Sequence, residues 1–135
     1  MLWRSITSLI TSSAALIRFT TFLVRVFSRK VYENALKYEL DKLGVEVLQQ
    51  GKLPVWYEGH SVGLFFPDLW IDKQLIIEIK AVQSLVLEHE KQLVHYLTAT
   101  RIDNGLLINF GPSVQVRRKF RDYKPKHSVT SAEVR

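Results

Sequence analysis

Residues 75–82, LIIEIKAV, set a glutamate and a lysine inside an otherwise aliphatic strand pattern. Side chains alternate across a strand, so Glu78 and Lys80, two apart, share one face. Ionisable groups in such a place are costly unless they are paired or bind a metal. Just upstream, Pro67-Asp68 puts another acid into an apolar run, residues 63–71. The two runs are joined by Asp72-Lys73-Gln74, and the loop length decides whether the acids meet. A two-residue loop would pair Ile71 with Gln74 and turn Glu78 away from Asp68. A three-residue loop pairs Ile71 with Leu75 and sets Asp68 opposite Glu78. The expectation is therefore a three-residue loop, or a bulge near Pro67.

Two carboxylates and a lysine on one sheet face suit a Mg²⁺ (or Mn²⁺) site, because a hard cation takes oxygen ligands and keeps water. In that arrangement Asp68 and Glu78 bind the metal and Lys80 orients the attacking water. The same letters would also fit a solvated Glu/Lys pair with Asp68 near a strand end. A helix expected over residues 87–100 adds His89, Gln92 and Tyr96 at i, i+3 and i+7, a polar stripe able to contact a phosphate. A zinc site is not expected: His89 and His95 lie on different faces, and there is no cysteine. The lack of cysteine also excludes a disulfide scaffold and a thiol nucleophile.

The remaining pattern predicts an α/β (α+β) domain with one sheet flanked by helices. Residues 31–43 give the clearest helix, with Tyr32, Ala35, Leu36, Leu40 and Leu43 on one face and Gly44 as its cap. Short strands follow at 45–48 and 53–57, with Glu58-Gly59 as a turn. Ser84 is a candidate cap for the second helix. Strands are expected at 106–110 and 114–120, and the tail from 122 reads as polar and disordered. The net charge is +6, but its distribution is uneven. Residues 1–30 carry +5, residues 117–126 carry +5, and the body between them carries −4. The basic strand residues Arg117, Arg118 and Lys119 are candidates for contacting nucleic acid. Arg18 and Arg25 interrupt the apolar N-terminal run, so no membrane span is expected and a cytoplasmic location is. The oligomeric state stays open, a homodimer included.

Five blocks, VYENALKYELDKLGVEV, PVWYEG, PDLWIDKQLIIEIKAV, LEHEKQLVHYL and GLLINFG, resemble the GxxExxY protein family of the PD-(D/E)XK nuclease superfamily in order and spacing. The resemblance covers about residues 31–119. It implies a restriction-endonuclease-like αβββαβ core and a metal-dependent nuclease acting on DNA or RNA. It places the superfamily's acid on Asp68, its ExK on Glu78 and Lys80, and its QxxxY element on Gln92 and Tyr96. Phe66 stands where family members usually carry an arginine. A catalytically inactive nuclease fold that binds nucleic acid or protein is the alternative, with the basic strand as the contact.

The name motif should end at Tyr32, which puts its glycine at Val26 and its glutamate at Arg29; neither matches. Glu33, four residues after Arg29 on the same helix face, is the candidate accessory acid, with His89 a second accessory group. Family members begin with a helix of the type IIGCAYKVHNFLGSGFLEK. Suitable codons for that peptide, read one base out of frame, give SSAALIRFTTFLVRVFSR, which is residues 12–29 of this chain. The reading is that residues up to about 30 are out of frame and the frame is restored at Val31. The competing reading is an organellar transit peptide, rich in arginine, serine and threonine and free of acids. The nucleotide sequence upstream of the Val31 codon tests this: the family helix is expected in the alternative frame, and its absence there removes the frame-shift reading.

Overall fold

A computed structural model describes residues 4–6, 8 and 28–122. Most of the N-terminal segment discussed above, and the tail beyond 122, lie outside the described residues. The elements are α1 (Arg29–Asp41), β1 (Val47–Gln49), β2 (Leu53–Tyr57), β3 (His60–Phe65), β4 (Leu69–Ile71), β5 (Leu75–Lys80), α2 (Leu87–Thr100), β6 (Asn104–Phe110) and β7 (Val114–Phe120). A five-stranded mixed sheet runs β1-β4-β5-β6-β7, and β2 and β3 form a separate hairpin. Only β5 and β6 are parallel, as the helical crossover between them requires. Taken without the β2–β3 hairpin and the terminal β7, the order is αβββαβ. Among the described residues no helix is long and apolar enough to cross a membrane.

Helix α1 forms because Tyr32, Leu36 and Leu40 recur at i, i+4 and i+8 and are all buried. It ends at Asp41, two residues earlier than the apolar pattern suggests. Gly44 adopts φ +76° and donates its N–H to the Asp41 carbonyl at 3.0 Å. Leu43 therefore falls beyond the helix and is exposed. Helix α2 matches the expected span, but Ser84 does not cap it. The N-cap position is Val86, whose N–H is accepted by His89 Nδ1 at 3.1 Å.

The segment 63–71 is not one strand. It breaks at Phe66-Pro67-Asp68, and its first half turns away to pair with β2. Proline has no N–H for the ladder, so a central strand cannot continue through it. The β2–β3 hairpin turns at Glu58 and Gly59, both at positive φ, which suits the right-handed twist of the two strands. Past the break, β4 pairs with β5 in the register Leu69↔Ile77, Trp70↔Ile76, Ile71↔Leu75. The connection is the three-residue one: Asp72 and Lys73 take left-handed conformations, and the Gln74 N–H bonds the Ile71 carbonyl at 2.9 Å.

Strand alternation then sorts the core into two layers. Leu75, Ile77 and Ile79 pack toward α1 with Leu36, Leu40 and Ile6. Ile76 packs toward α2 with Leu53, Leu93, Leu97 and Leu107. Glu78 and Lys80, in step with Ile76, share the α2 face.

At the exit of β5 the buried Asn109 side chain holds the backbone of Val82 at both ends. Its Oδ1 accepts the Val82 N–H at 2.8 Å and its Nδ2 donates to the Val82 carbonyl at 3.0 Å. Gly111 lies against that same carbonyl, and a Cβ there would overlap Val82 O, a backbone atom that cannot rotate away. Gly111→Ala is expected to cost about 1–3 kcal/mol, read as a lower urea midpoint at unchanged m-value.

Candidate active site

The break at Pro67 leaves the Asp68 N–H without a strand partner, and Glu78 supplies one. Glu78 Oε2 accepts the Asp68 N–H at 3.0 Å, and Asp68 Oδ2 accepts the Ile79 N–H at 2.8 Å. This reciprocal pair of side-chain bonds carries the β4–β5 pairing one step past the ladder and sets the two carboxyl groups side by side. Asp68 is 7% exposed.

A third carboxylate joins from α1. Glu33 is fully buried and takes donors from four side chains: Arg29 at 3.1 Å, Lys30 at 3.0 Å, Gln49 at 2.7 Å and Gln50 at 3.2 Å. Two of these also reach Asp68. Arg29 Nη1 lies 2.9 Å from Asp68 Oδ1, and Gln50 Nε2 lies 3.2 Å from the same oxygen. The backbone of Gln50, at φ +56°, also donates its N–H to the Asp68 carbonyl at 3.1 Å. Glu33 and Asp68 are thus joined through shared donors on α1 and the loop after β1.

The acids differ in electrostatics. Burial pushes the Glu78 carboxyl up to about 7, and the Asp68 charge adds to the shift; Lys80 and Arg29 oppose it. Burial also raises Glu33, but the bonds from Gln49, Lys30 and Gln50 and the Lys30 charge outweigh it, and the net shift is downward. The Tyr96 hydroxyl is raised by burial and by the Glu78 charge, which places it within electrostatic reach of the acids.

The remaining expected residues fall into two groups. Lys80 is partly buried and makes no hydrogen bond or ion pair among the described residues. Tyr96 stacks on Phe65 with ring centroids 4.2 Å apart, so the end of β3 braces the α2 stripe. Gln92, one turn before Tyr96, is exposed. His89 Nδ1 accepts the Val86 N–H at the start of α2, a capping contact within the helix's first turn.

The basic strand residues are not a single surface, because β7 alternates like any strand. Arg117 is exposed. Lys119, on the same face, is paired with Glu90 of α2 at 3.0 Å. Arg118 points to the opposite side, over the Phe120 ring at 4.3 Å and bonded to Asn104. Gln49, Gln50 and Phe65 were not evident as site residues. The one available signal was the polar Gln49-Gln50 pair between strand patterns, which reads as an ordinary loop until Glu33 is known to be buried.

A family model for the PD-(D/E)XK nuclease superfamily matches residues 6–121. The chain belongs to the PD-(D/E)XK nuclease superfamily. Two solved structures are similar. One is an alkaline exonuclease (LHK-Exo) from Laribacter hongkongensis, at TM-score 0.51 and 14% identity, covering 87% of this chain and 75% of that one. The other is SSO0001, at TM-score 0.47 and 17% identity, covering 88% of this chain and 67% of that one. No curated protein matches the chain. The superfamily generally uses divalent metals. Among the described residues no group of three or more acidic or histidine side chains is arranged as a metal cage. The adjacent Asp68 and Glu78 carboxyl groups do fit a cation of the Mg²⁺ type, which takes one or two carboxylates and otherwise keeps water.

The raised Glu78 carboxyl has a consequence for stability. Between the ordinary carboxylate value of 4.5 and about 7, the folded chain holds a proton at Glu78 that the unfolded chain releases. Stability from this group therefore falls as pH rises through that window. In EDTA, Glu78→Gln is expected to gain stability over wild type at pH 8 relative to pH 5, by on the order of 2 kcal/mol. Chemical denaturation of both proteins at the two pH values measures the difference, and shared titrations cancel.

Proposed function

We propose that this chain is a metal-dependent nuclease of the GxxExxY type that hydrolyses phosphodiester bonds in nucleic acid. The observation that carries the reading is the side-by-side placement of Asp68 and Glu78, with Lys80 on the same face one step on. Mg²⁺ or Mn²⁺, held by Asp68 and Glu78, would neutralise charge on the scissile phosphate. Lys80, with no protein partner among the described residues, orients the attacking water by donating to its oxygen and adds positive charge near the phosphate. Gln92 and Tyr96 donate to phosphate oxygens from α2, where the Phe65 stack limits the Tyr96 ring to one orientation. Glu33 acts indirectly, holding Gln50 and Arg29 against Asp68.

A second reading is a nuclease fold that binds nucleic acid without cutting it. Arg29 favours it, since this cation sits on the carboxylate proposed to hold the metal. The Lys119–Glu90 pair and the turning away of Arg118 weaken the β7 surface as the contact.

A cleavage assay with Mg²⁺ or Mn²⁺ separates the two. Activity is expected to vanish with EDTA and to fall at least about a hundredfold in Lys80→Ala. Activity insensitive to both changes would refute the assignment. Absent cleavage, with salt-dependent binding lost on neutralising Arg117, Arg118 and Lys119, would establish the binding reading.

A further inference from the structure

Arg29 opens α1, a position where the helix dipole disfavours positive charge. The first turn carries no acid and two adjacent cations, Arg29 and Lys30. What holds Arg29 there is the acid pair in front of it. One nitrogen, Nη1, is 3.1 Å from Glu33 Oε1 and 2.9 Å from Asp68 Oδ1. These carboxylates come from different elements, and a single positive centre bridges them.

The lone-pair accounting at Asp68 gives this bridge its importance. Oδ2 is committed to the Ile79 N–H, a buried bond that holds the strand pairing. Oδ1 is therefore the oxygen open to the site, and it already accepts from Arg29 Nη1 and Gln50 Nε2. A carboxylate oxygen offers about two lone-pair directions, so both are in use. At Glu78, Oε2 is committed to the Asp68 N–H, and Oε1 has no protein donor among the described residues. Asp68 and Glu78 are the residues that would hold a metal here, and of the two Asp68 oxygens Oδ1 is the one crowded by side-chain donors, among them the Arg29 guanidinium.

We infer that Arg29 is a resident cation at Asp68, so that a divalent metal competes with it for that carboxylate and Arg29 sets the metal affinity of the site. The inference rests on the reading of Asp68 and Glu78 as metal ligands. Displacement is sterically open, because the Arg29 side chain is 40% exposed and can turn to solvent. Gln50 and the Ile79 N–H would hold the Asp68 carboxylate in place when it does.

The test is Mn²⁺ binding to the full chain, read from the electron paramagnetic resonance signal of free Mn²⁺, with no turnover involved. Groups that contact metal ligands typically move metal affinity by 10–100-fold, so Arg29→Gln is expected to tighten Mn²⁺ binding by about tenfold or more. Arg29→Ala is a second neutral variant should the first fold poorly, and Arg29→Lys, which keeps the charge, is expected to stay weak. Lys37→Gln removes a cation of the same helix that pairs with Asp41 instead, and is expected to leave the affinity unchanged. Equal affinity in wild type and both neutral variants, with binding lost in Asp68→Asn, would overturn the resident-cation inference and leave the metal site standing. Equal tightening in Lys37→Gln would also overturn it, as a general charge effect. No binding in wild type or in either neutral variant would overturn the metal site itself, and the inference with it.

Discussion

The exchange of hydrogen bonds between Asp68 and the Glu78-Ile79 step is the contact on which the rest of the site depends. The main-chain ladder of β4 and β5 reaches only to Leu69↔Ile77. Beyond it, Pro67 has no N–H to offer, and the two carboxyl side chains take over the bonding with the neighbouring amides. The acids are thus part of the sheet's own hydrogen bonding. Their proximity is enforced by the backbone, even though two carboxylates brought together in a buried place repel. Burial above all raises the Glu78 carboxyl, and the Asp68 charge adds to it.

The compensating charges come from outside the strand pair. Arg29 and Lys30 at the start of α1, and the amides of Gln49 and Gln50, converge on Glu33 and Asp68. Where the resemblance to the GxxExxY family places a glutamate, this chain carries the arginine that bridges these acids. The site as written is therefore more nearly neutral than an acid-rich one. The overall basicity of the chain says little about it.

Much of the site could be read from the letters, and the reason is geometric. Strand register follows from loop length, and of the two lengths the letters allow, the structure takes the three-residue loop at Asp72-Lys73-Gln74 that sets Asp68 beside Glu78. The α2 stripe followed from helical spacing, and the two-layer core from alternation along 75–80. What escaped was set by tertiary context. The run 63–71 is apolar apart from Asp68, and nothing local says that Phe65 leaves the sheet while Leu69 stays in it, except the proline between them. Glu33 is a candidate accessory acid from its place on the helix, but its complete burial and the donors from Gln49 and Gln50 show only once the loop after β1 folds over it. His89 occupies the right turn of α2, but its ring is spent on the helix start. Arg117, Arg118 and Lys119 are contiguous in sequence and divided in space by the pleat.

The Asn109 clamp on Val82 bears on how such a site could accommodate a bulky polymer. One amide side chain engages both polar groups of the Val82 backbone, so the chain leaving Lys80 cannot slip along β6. The backbone carrying Glu78 and Lys80 is thereby held from both sides of β5, by Asp68 on one side and by the Val82 clamp on the other. On the α2 side Gln92 is exposed, while Tyr96 is held by its stack on Phe65. Under the proposed function, the backbone that carries the two acids and the lysine would keep one position relative to the sheet whatever polymer lies across it.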